Sequence, residues 1–254
     1  MKKLVLISLL SGFLLVNPLL AADRGFATVE ASLKKAMESE LRSEKETKRD
    51  RNRMPIQTLK FFGLRSDMKV IELLPGGGWY TKLLAPVLAE NGEFSVAMGT
   101  GRVSKALIGK PGMDFLNIIN DNANIRKEKG DRFYSLDQFD LGEKNVDMIF
   151  TFRNYHNFGF EGRQVMNQAA FKALKSGGIY AVVDHTRRHM QKSDNENGRR
   201  VDPVLVIKEI QDAGFVLVDY TDLHYRPDDE LKYEVGRKTV TGNTDRFTLK
   251  FRKP

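Results

Sequence analysis

The run Val70-Ile71-Glu72-Leu73-Leu74-Pro75-Gly76-Gly77-Gly78-Trp79-Tyr80 ends an apolar segment with a carboxylate and follows it with three glycines. Glycines let a backbone approach a ligand closely, and a carboxylate or free N–H groups at a helix start hold its polar atoms. That chemistry is the binding of a nucleoside-like cofactor. A second cluster, Arg153-Asn154-Tyr155-His156-Asn157, follows the apolar residues 146–152, and Asp184-His185 ends a third apolar run. His156 can accept a proton near neutral pH, and Asn154 can orient a reacting group by hydrogen bonds. Asp184-His185 is a second base pair or a brace for the opposite loop. His156, Asp184, His185 and His189 fit no helix or hairpin zinc spacing, so no metal site is predicted.

Each group has a plainer alternative. Glu72 either anchors a ligand or pairs with a local arginine or lysine, because a lone buried carboxylate is costly. The glycines either admit a ligand or only permit a tight turn. Residues 153–157 either act on a ligand or brace their own loop. Trp79 and Tyr80 read as core. Arg187, Arg188, Arg199 and Arg200 flank a polar, mobile loop over 186–200 and either close over an anion or are solvated; solvation is the expectation.

These groups need a frame that brings strand ends together. The pattern predicts a polar helix over 27–51, then a helix over 56–62 started by Pro55 and stopped by Gly63. A strand over 68–73, a helix over 80–89, a turn at Asn91-Gly92 and a strand over 93–98 follow. The pattern weakens over 99–130, where a helix is expected over 113–120, and a weak strand over 132–136 counts as the third. Strands over 146–152 and 179–184 enclose a helix over 161–174. A helix over 204–213 and strands over 215–220 and 246–252 complete the chain. Strands separated by helices pack as a parallel sheet covered on both faces. No clear helix separates the last two strands, so the final one can enter antiparallel. The expectation is one α/β domain over 63–254 behind a helical extension over 23–62.

The chain opens Met1-Lys2-Lys3, runs apolar from Leu4 to Leu20 and leaves through Ala21-Ala22. A basic tip, an apolar stretch and a small-residue exit make a secretory signal peptide over 1–22, which implies a periplasmic or secreted protein. There is no cysteine among the 254 residues. That excludes a thiol nucleophile, a disulfide framework and a cysteine-ligated zinc. The net charge is +8, but basic residues are scattered among acidic ones with no aromatic-interleaved stripe. A solvated surface follows, with no nucleic-acid partner and no membrane insertion after cleavage. No residue pattern sets the oligomeric state.

The ordered motifs resemble those of class I S-adenosylmethionine-dependent methyltransferases, and more narrowly the predicted secreted methyltransferases of Gram-negative bacteria. They are Glu-Leu-Leu-Pro-Gly-Gly-Gly-Trp-Tyr at 72–80, Thr-Phe-Arg-Asn-Tyr-His-Asn at 151–157 and Leu-Lys-Ser-Gly-Gly at 174–178. Val-Val-Asp-His at 182–185 and Thr-Asp-Arg-Phe-Thr-Leu-Lys-Phe-Arg-Lys-Pro at 244–254 complete the set. The resemblance implies a Rossmann-like fold: a mostly parallel seven-stranded sheet, an antiparallel C-terminal strand and helices on both faces. It implies S-adenosylmethionine as cofactor, held by Glu72, Gly76, Gly77 and Gly78, with Thr100 on the ribose. Asp137 would take the adenine amine, or else cap its own loop. It also implies an unidentified small-molecule methyl acceptor beside Asn154, His156, Asp184 and His185. Two positions depart from the family pattern. Leu74 stands where glycine is usual, and the second strand ends Val96-Ala97-Met98-Gly99-Thr100 without the usual carboxylate. One Thr100 hydroxyl is a weaker partner than a bidentate carboxylate. Two functions follow: an exported methyltransferase, which must meet a cofactor made in the cytosol, or a non-catalytic periplasmic ligand-binding or interaction module on the same scaffold.

Overall fold

Successive strand side chains leave opposite faces of a sheet, and here both faces are buried. Val70, Met148, Phe150 and Val183 join one core, while Ile71, Ile149, Tyr180 and Val182 join the other. Strands covered on both sides read as nearly continuous apolar runs, which is how they announce themselves in the sequence. The computed structural model describes residues 18–119 and 122–254, and side chains from Phe26 onward. Most of the expected signal segment lies outside the described residues. Among the described residues no helix is long and apolar enough to cross a membrane.

The strands are β1 (Lys69–Leu73), β2 (Glu93–Ala97), β3 (Leu116–Ile118), β4 (Ile125–Arg126), β5 (Ser135–Leu136), β6 (Val146–Phe152), β7 (Leu174–His185), β8 (Val216–Thr221) and β9 (Arg246–Arg252). The main sheet has seven strands in the order β3-β2-β1-β6-β7-β9-β8. Its strands are parallel except β9, which runs antiparallel to both β7 and β8. The chain moves outward from β1 to β3, then restarts at β6 on the other side of β1. That reversal is a topological switch point, where open α/β sheets bind ligands at the strands' carboxyl ends.

One face carries α1 (Pro18–Met37), α4 (Pro55–Phe62), α5 (Thr81–Leu88) and α6 (Gly101–Leu107). The other carries α7 (Phe160–Ala173) and α8 (Pro203–Asp212). Short helices α2 (Glu44–Thr47) and α3 (Asp50–Arg53) link α1 to α4. Pro55 starts α4, and Gly63 closes it with φ of +80°.

Four expectations are corrected. The long helix over 27–51 breaks after Met37, because Arg42 donates to the Met37 carbonyl (2.9 Å) and pairs with Asp50, folding the chain back. Residues 101–107 form a helix that the sequence pattern did not mark, and 116–118 form the third sheet strand where a helix was expected. The stretch expected as the third strand instead supplies β5, which pairs only with β4 in a separate hairpin. The loop over 186–200 is also tied down: Arg132 donates to the carbonyls of Ser193 and Asp194, and Asp202 accepts from Met190 N and His189.

Candidate active site

At the switch point, β1 and β6 end side by side and both turn through a left-handed residue. Leu74 has φ of +54° and Arg153 +58°, while Met98, just past β2, has +62°. A non-glycine residue there costs roughly 1–3 kcal/mol, and such strain concentrates at functional edges. The left-handed turns are locked by hydrogen bonds. Leu74 N donates to Ala97 O (2.9 Å), Arg153 N donates to Val183 O (2.7 Å), and Asn154 Nδ2 donates to the Leu74 carbonyl (2.8 Å). Leucine therefore holds the conformation for which glycine was expected. Asn154 is a clamp between β1 and β6.

A cavity of about 340 Å³ opens between these ends, lined by Glu72, Gly76, Gly77, Arg53 and Asn154 among others. Glu72 is buried, and its carboxylate accepts from the Thr81 hydroxyl (2.6 Å). Burial pushes its pKa up to about 7, against the opposing pull of the Thr81 hydroxyl and the charge of Arg53. No ion pair neutralises it among the described residues. Trp79 and Tyr80 are core residues as expected, yet both also wall this cavity; Tyr80 stacks on Phe152 at 3.6 Å.

The three glycines divide. A Cβ on Gly76 or Gly77 would meet nothing within 4 Å. A Cβ on Gly78 would lie 2.8 Å from Leu107 Cδ1 and 3.0 Å from Val103 Cγ2, and φ there is +81°. Gly78 thus seats α6 against the turn and does not line the cavity.

A second cavity of about 570 Å³ lies beside the first and shares Arg102, Arg153 and Asn154 with it. His156 and His185 line it together. Both oxygens of the buried Asp184 face His156: Oδ2 accepts from His156 N (2.9 Å) and Oδ1 meets Nδ1 at 2.5 Å. With Nδ1 engaged, Nε2 is the nitrogen left without a hydrogen bond among the described residues. The His185 ring sits 5.7 Å from that of His156, and its Nδ1 meets Thr244 Oγ1 at 2.9 Å. Burial, aided by His156 and nearby arginines, holds the His185 pKa well below the usual histidine range, so His185 is neutral. Tyr155 points the other way and braces the turn. Its hydroxyl donates to Glu209 (3.1 Å), which also holds the buried Arg163 through two bonds of 2.6 and 2.7 Å.

Two expected contacts are elsewhere. β2 ends at Ala97, and the turn through Met98 and Gly99 carries Thr100 on to cap α6, where it lines neither cavity. Asp137 is exposed in the β4–β5 hairpin, spent on both guanidinium nitrogens of Arg126 at 2.5 Å each and on Asn124. His189 pairs with Asp202, and among the described residues no group of three or more His, Asp or Glu is placed to hold a metal. Of the flanking arginines, Arg199 lines the second cavity while Arg200 is buried in a two-bond pair with Asp229. Arg49, Arg53 and Arg102 were not marked by sequence; Arg53 offered a cue in standing just before Met54-Pro55.

No family model matches the chain, and no curated protein does. Solved structures match over most of its length. The fold is that of class I S-adenosylmethionine-dependent methyltransferases. A SAM-dependent methyltransferase from Aquifex aeolicus superposes with a TM-score of 0.54 at 16% identity, over 87% of this chain and 97% of that one. The cyclase SpnF gives 0.55 at 14% identity, over 92% and 96%. CcbJ methyltransferase from Streptomyces caelestis gives 0.50 at 12%, over 81% and 96%. At these identities the methyltransferase likeness is one of fold. The first cavity combines a buried carboxylate, without an ion pair among the described residues, with two glycines whose Cβ positions are open. The end of β2, by contrast, offers no carboxylate to a ribose.

Proposed function

We propose that this chain is an exported S-adenosylmethionine-dependent methyltransferase acting on a small-molecule acceptor, of the secreted kind that its motifs resemble. The observation that carries the reading is the adjacency of two cavities at the switch point, one holding Glu72 and the Gly76-Gly77 turn, the other the His156–Asp184 pair. Glu72 would hold the cofactor's cationic amino-acid end, and the Pro75–Gly77 turn would admit its backbone-hugging part. When bound, the cofactor would supply a methyl group activated by its sulfonium for transfer to the acceptor. The chain's own work is alignment and water exclusion. His156 Nε2 takes the acceptor's proton where there is one, and Asp184 holds the resulting imidazolium in place. Neutral His185 and Thr244 bound the acceptor side.

Titration calorimetry with S-adenosylhomocysteine tests this. Gly77→Val should weaken binding roughly tenfold or more, about 1.4 kcal/mol, with an unchanged melting temperature, because its side chain enters only cavity space. Gly78→Ala should instead lower the melting temperature, because its Cβ collides with α6. Absence of S-adenosylhomocysteine binding to the wild-type chain would reject the reading.

The second reading, a non-catalytic ligand-binding module, is favoured by the end of β2, which lacks a ribose carboxylate. A cyclase shares the fold, so the fold alone does not set the reaction.

A further inference from the structure

The second cavity is lined by the side chains of Arg49, Arg102, Arg153 and Arg199, and among the described residues by no aspartate or glutamate. Only Arg199 has an ion-pair partner, Glu234; Arg49, Arg102 and Arg153 form none among the described residues. Arg153 Nε is buried without a hydrogen bond. Two further buried guanidiniums, Arg53 and Arg246, lie within electrostatic reach of Arg153, each with Nε unpartnered. Among the described residues the Arg246 guanidinium donates only to the Asn52 carbonyl (2.8 Å). The buried Asp184 is already committed to His156. Burial and mutual repulsion push Arg53 down to about 8 and Arg246 down to about 9. Packing so many cations together with an ion pair at Arg199 alone is costly.

We infer that this cavity binds an anion, so that the methyl acceptor carries a carboxylate or phosphate group held by Arg49, Arg153 and Arg199 beside His156. The word acceptor rests on the methyltransferase reading; the anion preference rests on the arginines alone. Guanidiniums suit both anions because two parallel N–H groups match two oxygens. The neutral His185 and the Thr244 hydroxyl then face the part of the ligand that carries no charge.

The test uses the chain from Asp23 onward, with S-adenosylhomocysteine titrated first and inorganic phosphate or succinate second. Either anion should saturate, and raising sodium chloride should weaken it. Choline, a cation, should not bind. Arg49 and Arg199 line the second cavity and not the first, so Arg49→Gln and Arg199→Gln should each weaken the anion about tenfold while leaving S-adenosylhomocysteine affinity intact. Arg199 is largely exposed, so that variant keeps the test valid should Arg49→Gln fold poorly. Tighter binding of phosphate or of succinate names the anionic group. If both anions fail to saturate the wild-type chain, or bind equally to the variants, the inference is overturned whatever the cofactor result. If the anion binds and depends on Arg49 but S-adenosylhomocysteine does not bind, the anion site stands and its ligand is not a methyl acceptor.

Discussion

Burial holds the Glu72 carboxyl near 7, and this has consequences in both folding and binding. Between the ordinary value of 4.5 and about 7 the folded chain keeps a proton that the unfolded chain releases. Stability from this group is therefore full below pH 4.5 and lost as pH rises through 7, by about 3 kcal/mol in all. Glu72→Gln should remove that loss, seen as a smaller fall in urea midpoint between pH 5 and pH 8. A cationic ligand reverses the preference and favours the carboxylate. At pH 6 to 7, S-adenosylhomocysteine should then release a proton from the wild-type chain and none from the variant, measured by calorimetry in buffers of different ionisation enthalpy. Glu72, Asn154, His156, Asp184 and His185 were legible as one cluster because neighbouring parallel strands deliver their carboxyl ends to one edge. Thr100, Asp137 and Gly78 lie outside both cavities. Where a side chain points after a strand depends on how many residues the turn consumes, and Met98-Gly99 consumed the two that moved Thr100 onto a helix.

An antiparallel strand begins at the edge where parallel strands end, so β9 brings Thr244, Asp245 and Arg246 to the site although they are far along the chain. The same strand anchors the N-terminal elements through His224. Its Nδ1 meets Thr248 Oγ1 at 2.7 Å in β9, and its Nε2 meets the Arg53 carbonyl at 3.0 Å in α3. Burial, partly countered by the Arg53 carbonyl, lowers the His224 pKa to about 4. Its contribution is thus complete above pH 6.5 and lost as pH falls through 4. His224→Gln should lower the melting temperature at pH 7.5 and show a shallower further decline between pH 6.5 and 4.5. A decline equal to wild type would place the acid sensitivity elsewhere, with His185 next in line because its pKa is lowered in the same direction. β1, β2, β6, the later part of β7, β8, β9 and α4, α5, α7 and α8 could be read from sequence because burial on two faces or one imposes a period. β3 and α6 could not, since three- and seven-residue elements at the sheet's edge carry too few buried positions to show one.

For the whole molecule, the extension over 23–62 is a layer of the domain's own core. Phe26, Val29, Leu33 and Ala36 recur at helical spacing along α1 and are all buried in the same cluster as Val70, Leu83 and Phe150. The helix is unbroken through Ala21 and Ala22, where the sequence predicts signal cleavage, and Phe26 is the first of its described buried side chains. Processing at Ala22 therefore removes none of the described core, whereas a cut beyond Phe26 would begin to dismantle it. Each large apolar side chain withdrawn from that cluster costs about 1.5–3 kcal/mol, so losing α1 altogether should cost at least 5 kcal/mol, about the net stability of a marginal domain. Intact mass of the exported protein should show a chain starting at Asp23. That chain should unfold cooperatively, and one starting at Glu38 should unfold at a much lower urea concentration or fail to fold. Equal midpoints for the two would mean that α1 contributes no core. A mature chain starting beyond Phe26 would mean that the fold does not set the limit of processing.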